Sequence, residues 1–284
     1  MSWFLLALVS VVTVSIATLL ERVLLKEDES DPVAYAIVFQ FLLGAIVFGF
    51  TILLHRFTLP DFSPVTVARF LFSAMLWAGS TVFGFHAIKR LSAAEVTILN
   101  SSTAVVAVIL GIIFLRETVS IKMIVGTALV IGSILVVQSE KLAFQSRRGI
   151  AFALLSALCA GIAVVNDVIV LHNLEVFSYV SMMSFLPGIV LLTLFPKKFF
   201  VAKQLVLSPI MKGMGIFTFF YALQAVSYYL AYQNGALISH LSPITKSSII
   251  LTVILSAVFL KERKQLLKKI LASVIVTVGV LLLN

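Results

Sequence analysis

"ILGIIFLRETVSIKMIVGTALVIGSILVV" (residues 109–137) and "ILSAVFLKERKQLLKKILASVIVTVGVLL" (residues 254–282) align without a gap. The offset is 145 residues, from 109 to 254, about half of a 284-residue chain. Both read as an apolar run, Phe-Leu, a base and Glu, followed by a second apolar run. Ala128-xxx-Gly132 falls on Ser273-xxx-Thr277, so a small-xxx-small step of the kind that lets membrane helices approach closely recurs. With a one-residue adjustment "LVSVV" (8–12) falls on "LLSAL" (154–158), and Glu21 then falls on Asp167. The chain is written twice.

The solvent of this chain is lipid. It is 61% hydrophobic and 12% charged, with a mean hydropathy of +1.15. A soluble domain carries roughly twice that charge and could not hide so much apolar surface. The net charge of +9 sits in short loops between apolar runs, which points to membrane-facing loops and anionic headgroups rather than nucleic acid. A single cysteine, Cys159, excludes an intrachain disulfide and a zinc spacing. It reads as a small packing residue. The N-terminus is apolar from Trp3 and lacks a basic leader, so it reads as a retained first helix. No pattern asks for a cofactor.

A crossing helix needs about 20 mostly apolar residues. Ten segments qualify, near 2–21, 33–54, 67–88, 93–115, 119–138, 149–171, 176–195, 211–233, 237–260 and 267–284. The breaks carry Pro, Gly or charge, as in "KEDESDP", "HRFTLPDFSP" and "FPKKF". With the internal repeat, this predicts an all-α integral membrane protein of ten transmembrane helices, arranged as two five-helix units, 1–140 and 148–284, joined by "SEKLAFQSRR". An odd unit leaves the chain on the opposite side, so the second copy is inserted upside down. Inverted repeats of this kind characterise secondary transporters. Bases crowd the loops that follow odd-numbered spans, which by the positive-inside rule puts both termini outside.

Two stretches, "LSAAEVTILNSSTAVVAVILGIIFLRE" (91–117) and "LISHLSPITKSSIILTVILSAVFLKE" (237–262), carry a family resemblance. Each starts with small residues and ends in an apolar-Leu-x-Glu step before a Gly/Ala-rich helix. The chain resembles the drug/metabolite transporter superfamily, and within it the EamA-like ten-helix carriers. The resemblance covers the whole chain. It implies a central cavity lined by the first, third and fourth helices of each unit, and it implies no particular substrate. Two features depart from the family pattern. Arg116 and Lys261 stand where a glycine often precedes the Glu. The mid-helix proline is missing from copy one, and Pro243 comes about two turns early in copy two.

Charges within a span are costly and usually functional. Lys246 lies about nine residues into the ninth span, some 12–14 Å along its axis, and Asp167 lies about one turn from the end of the sixth. The two are expected to share a leaflet and one cavity, paired with each other or facing a charged substrate; a structural ion pair is the alternative. The copy-one equivalent of Lys246 is Ser101, so the symmetry breaks where a ligand with an anionic group would bind. Asn100 and Ser101, with Thr245 flanking Lys246, read either as cavity contacts or as interhelical glue. Pro243 can loosen the ninth helix there. Gln224, Tyr228 and Tyr232 recur every four residues in the eighth span and can line a cavity. Glu21 reads as a gate or proton-coupling carboxylate, like Asp167, or as an interfacial residue. Glu117 and Glu262 read as loop-boundary residues that support the fold.

No H-E-x-x-H, G-x-S-x-G or phosphate-binding loop is present, so an enzyme or a self-contained pump is not expected. The expected function is secondary transport of a small polar metabolite across the cell membrane by alternating access, an amino acid or another anionic compound being the favoured class. Flipping of a lipid or lipid-linked carrier, or a non-transporting sensor, are the rivals. The expected partners are the solute and the bilayer, and a homodimer is compatible with the sequence.

Overall fold

The computed structural model describes residues 2–25, 31–58, 63–115, 120–138, 146–171, 176–234, 248–262 and 266–282. Twelve helices are found among them: α1 (Trp3–Leu25), α2 (Pro32–Leu53), α3 (Pro64–Arg90), α4 (Ala93–Asn100), α5 (Ser102–Leu115), α6 (Ile121–Gln138), α7 (Arg147–Leu171), α8 (Val176–Leu194), α9 (Lys198–Leu207), α10 (Ile210–Gln233), α11 (Ser248–Phe259) and α12 (Leu266–Leu282). Six of them, α1, α2, α3, α7, α8 and α10, contain stretches long and apolar enough to cross a membrane.

The surface is that of a protein in lipid. On α1, Phe4, Leu5, Leu8, Val12 and Val23 are exposed while Ser10, Thr13 and Ser15 are buried. The inward hydroxyl of Thr13 bonds back to the Val9 carbonyl, which satisfies it without a partner helix, while that of Ser15 is shared between the Val11 carbonyl of its own helix and a carbonyl of α11. The helix starts follow local rules. Asp31 caps α2 by accepting from the N–H groups of Val33 and Ala34, ahead of Pro32, and Ser63 caps α3 ahead of Pro64. Ser92 and Glu95 form a reciprocal capping box on α4.

Contacts between helices exchange in pairs. The third helix of copy one, α3, packs along α7, the first helix of copy two, and α10 packs along α1 in the same way. Likewise α5 on α7 is mirrored by α11 on α1, and α3 on α8 by α10 on α2. Two pairs map onto themselves, α2 with α8 and α6 with α12. A two-fold axis relating the copies produces this pattern.

The directions of the helices show that the relation is inverted. The end of α1 meets the end of α3, where Arg22 donates to the carbonyls of Ile88 and Lys89. The end of α7 meets the start of α3, where Asn166 donates to the Arg69 carbonyl. So α7 runs opposite to α1, its counterpart. The details repeat as well. Ser15 donates to the carbonyl of Ser248 at 3.3 Å. At the corresponding place in the other half Gly161 faces the carbonyl of Thr103, and a Cβ there would lie 3.1 Å from that oxygen and 2.6 Å from Val106. Only a glycine lets α5 and α7 approach this closely.

Three features differ from the expected spans. The segment expected at 93–115 tightens for one residue at Ser101, where the backbone stays helical (φ −62, ψ −21). There the N–H bonds to the Ile98 carbonyl, the Ser101 hydroxyl takes that same carbonyl, and Ser102 takes the Leu99 carbonyl. Side chains of "NSST" compete with the helix ladder. A helix not anticipated, α9, lies in the connection between 195 and 211; at ten residues it spans about 15 Å, half the hydrocarbon core. Of the ninth segment the described part begins at Ser248, so Pro243, Thr245 and Lys246 lie outside the described residues.

The unusual "LKE" ending of α11 has a backbone consequence. Lys261 has φ +55, the left-handed region that glycine fills without cost. The turn brings the N–H of Glu262 to the Ser256 carbonyl at 3.2 Å. Relief of roughly 1–2 kcal/mol of left-handed strain, less the extra freedom that glycine gives the unfolded chain, makes Lys261→Gly stabilising. The expected gain is about 0.5–1 kcal/mol, read as a higher melting temperature in detergent; a lower one would mean that the lysine side chain itself holds the turn.

Candidate solute site and its two faces

Buried polar groups stand on α1 and at the α4–α5 junction, inside an apolar bundle. Ser10 and Ser15 on α1 and Ser101 on α4–α5 are buried. The side-chain oxygen of Asn100 is buried and accepts no hydrogen bond from any described residue. A buried acceptor left unmet costs roughly 1–3 kcal/mol, so this oxygen is open to a partner from outside the described residues. Gln224 on α10 reaches Ser10 across the α1 interface at 3.4 Å. Tyr228, one turn on, packs with the cluster of Leu6, Ala7 and Ala231. The Ser248 carbonyl, two residues beyond Lys246, is held by Ser15, so the described start of α11 lies against the middle of α1.

Asp167 fastens one face. Its carboxylate accepts from the Ser73 hydroxyl at 2.6 Å, from the Trp77 indole N–H at 2.9 Å and from the Tyr179 hydroxyl. One carboxylate thus joins α3, α7 and α8. Asn166 extends the network, donating to Ser73 at 2.8 Å, and its side-chain oxygen accepts weakly from Arg69 at 3.5 Å. Beside it a groove of about 470 Å³ opens, lined by Pro64, Val65, Ala68, Arg69, Phe72 and Asn166. These partners were missed from the sequence although a signal exists: Arg69, Ser73, Trp77 and Thr81 recur every four residues on α3, the spacing that singled out α10. Thr81 completes the row by accepting from Gln40 of α2 at 2.7 Å.

Glu21, the counterpart of Asp167, lies towards the opposite face on α1. Tyr221 of α10 lies near it, and no hydrogen bond or ion pair joins it to a described residue. The neighbouring Arg22 points elsewhere. It pairs with Glu262 at 3.1 Å and also holds the α3 carbonyls of Ile88 at 2.6 Å and Lys89 at 3.0 Å. Glu262 in turn accepts from the Ala93 N–H that opens α4. Lys269 of α12 donates to Ser92 at 2.9 Å and lies 3.8 Å from Glu95. The apolar-Leu-x-Glu step of copy two therefore ends in a structural clasp that ties α1, α3, α4 and α11 together.

The family model of the EamA-like transporter family matches residues 1–139 and again 147–284. The chain belongs to the EamA-like transporter family. The two matches coincide with the two halves whose contacts exchange, so this EamA-like chain is an integral membrane protein built from two repeats. No curated protein matches the sequence. A solved structure described only as "Crystal structure of protein" superposes on 97% of this chain and 94% of its own, with a TM-score of 0.58 and 13% identity. At that identity the likeness shows the shared fold alone.

Proposed function

We propose that this EamA-like protein is a secondary carrier with ten crossings, which moves a small polar metabolite bearing an anionic group, an amino acid or similar compound, by alternating access. One observation carries the reading. Helix α4 of copy one packs against α7 and α11 of the inverted copy, and at its end the buried side-chain oxygen of Asn100 accepts from no described residue, which offers an acceptor to a ligand. Transporters of inverted design hold substrate at the interface of their repeats.

In this reading Asn100, Ser101 and Gln224 contribute polar contacts, and Lys246 with Thr245, the sequence counterparts of Ser101 and Asn100 in copy two, supplies the cation for the anionic group. Tyr228 borders the site from α10. The carboxylates serve as alternating fasteners at the two faces, Asp167 engaged and Glu21 disengaged in this conformation, with a proton as the natural occupant of the free one. Exchange of the α5–α7 and α1–α11 contacts, one apolar and close, the other a hydroxyl-to-carbonyl bond, converts one state into the other.

The test is thermal melting of the purified protein against a metabolite panel. A ligand at 100 times its dissociation constant stabilises by about 2.7 kcal/mol. Carboxylates or phosphates are expected to raise the melting temperature of the wild type, and Lys246→Ala and Asn100→Ala are expected to lose the shift. A shift that survives both substitutions would remove the site from this patch. The groove beside Arg69, flanked by exposed Val65 and Phe72, favours a second reading, flipping of an amphiphile; in that case lipids and no soluble metabolite would raise the melting temperature.

A further inference from the structure

The stretch "FPKKFFVAKQLVLSPIMKG" (195–213) contains Lys197, Lys198, Lys203 and Lys212 and no acidic residue. Its helix α9 is too short to cross the bilayer and packs on α2 through Ala202 and Leu205, both buried. It is pinned by an ion pair between Lys198 and Asp31. Burial alone would raise the Asp31 carboxyl, but Lys198 and the N–H groups of Ala34 and Val33 outweigh it and hold the group below its ordinary value. The pin is therefore intact at neutral pH. The exposed side of α9 is strongly apolar: Phe199, Phe200, Val206 and Leu207 are 51%, 70%, 47% and 77% exposed, with Lys203 between Phe199 and Leu207 on the same stripe. A short helix with an exposed apolar side and lysines that reach to water lies in the headgroup boundary of a membrane.

Along the side of α9 runs an open slot of about 390 Å³ whose walls include Ile37 and Phe41 of α2, Leu192 of α8, and Phe199 and Val206 of α9. Its lining is almost entirely hydrocarbon, and Lys203 is the one charged residue that borders it. We propose that this slot binds one anionic phospholipid of the bilayer, with an acyl chain between α2, α8 and α9 and the phosphate on Lys203. The two halves of the ligand match the two kinds of surface. The slot offers a chain nothing but hydrocarbon. Lys203, with Lys197 and Lys212 nearby in sequence and no carboxylate in the stretch to compete, selects a negative headgroup. Lys198 is already engaged by Asp31 and serves to hold this wall of the slot in place. The site is separate from the polar patch at Asn100 and does not depend on the solute.

The experiment is a melting titration of the detergent-purified full chain with dioleoyl-phosphatidylglycerol, dioleoyl-phosphatidylcholine and glycerol 3-phosphate. Phosphatidylglycerol is expected to bind about fivefold tighter than phosphatidylcholine, the effect of one lysine at an anionic surface. Lys203→Gln, a change at an exposed position, should remove that preference and leave phosphatidylcholine binding as it was. Val206→Trp, which fills the slot from an exposed position, should weaken both lipids. Equal affinity for the two lipids, a preference that survives Lys203→Gln, no loss with Val206→Trp, or a shift by glycerol 3-phosphate matching that of the lipid would each overturn the proposal.

Discussion

Asp167→Ala is expected to abolish solute flux and to lower stability by about 3 kcal/mol, roughly 1 kcal/mol for each donor left without an acceptor. Those donors are the hydroxyls of Ser73 and Tyr179 and the indole of Trp77. They come from two helices, so the loss also separates α3 and α8 from α7. Inside a bilayer no water takes the place of the carboxylate. Ser73→Ala gives a graded comparison. It removes one donor and the acceptor of Asn166, leaves the other two bonds to Asp167, and should cost about 1 kcal/mol with partial flux. Thermal unfolding and uptake in proteoliposomes measure both. An Asp167→Ala protein with unchanged melting temperature and full uptake would show that the network fastens nothing.

Arg22→Ala carries the second large effect, a destabilisation of about 3–5 kcal/mol, the range for breaking a buried ion pair from one side. The side chains of Arg22 and Glu262 are only 11% and 14% exposed, so Glu262 would keep its charge with little solvent to receive it. The carbonyls of Ile88 and Lys89 would lose their donor as well. This fixes the outcome of a charge swap: Arg22→Glu combined with Glu262→Arg is expected not to recover stability. A glutamate at 22 cannot donate to those carbonyls, and an arginine at 262 cannot accept from Ala93. Full recovery in the swap would mean that the pair acts as a simple charge contact and that the clasp is weaker than its geometry indicates.

The repeat and the membrane character were legible because both are written over long stretches. Twenty apolar residues in a row have few structural options, and a gapless 145-residue offset survives in the residues of α5–α6 and α11–α12. Short devices were harder to read. The tightened turn at Ser101 depends on hydroxyls choosing backbone carbonyls, and nothing in "NSST" dictates that choice over bonds to a neighbouring helix. Helix α9 carries two lysines and a glutamine in ten residues and is half the length of a crossing, so a window set for spans passes over it. Asp167 stood out as a charge within a span, while Ser73 and Trp77 lie some ninety residues away in the chain, and only packing of α3 on α7 unites them. Lys261 shows the converse case. Its departure from glycine was visible in the sequence, and its left-handed backbone gives that departure a physical cost.

The central claim, that solute crosses by exchange of two inverted halves about a polar site between them, is tested most directly by trans-stimulation in proteoliposomes. Vesicles loaded with an unlabelled ligand from the melting panel receive the labelled compound outside. The account predicts that internal ligand accelerates labelled uptake, because a loaded carrier returns faster than an empty one, and that Lys246→Ala and Asp167→Ala lose both the uptake and its acceleration. Labelled uptake that runs at the same rate with empty and loaded vesicles would contradict it.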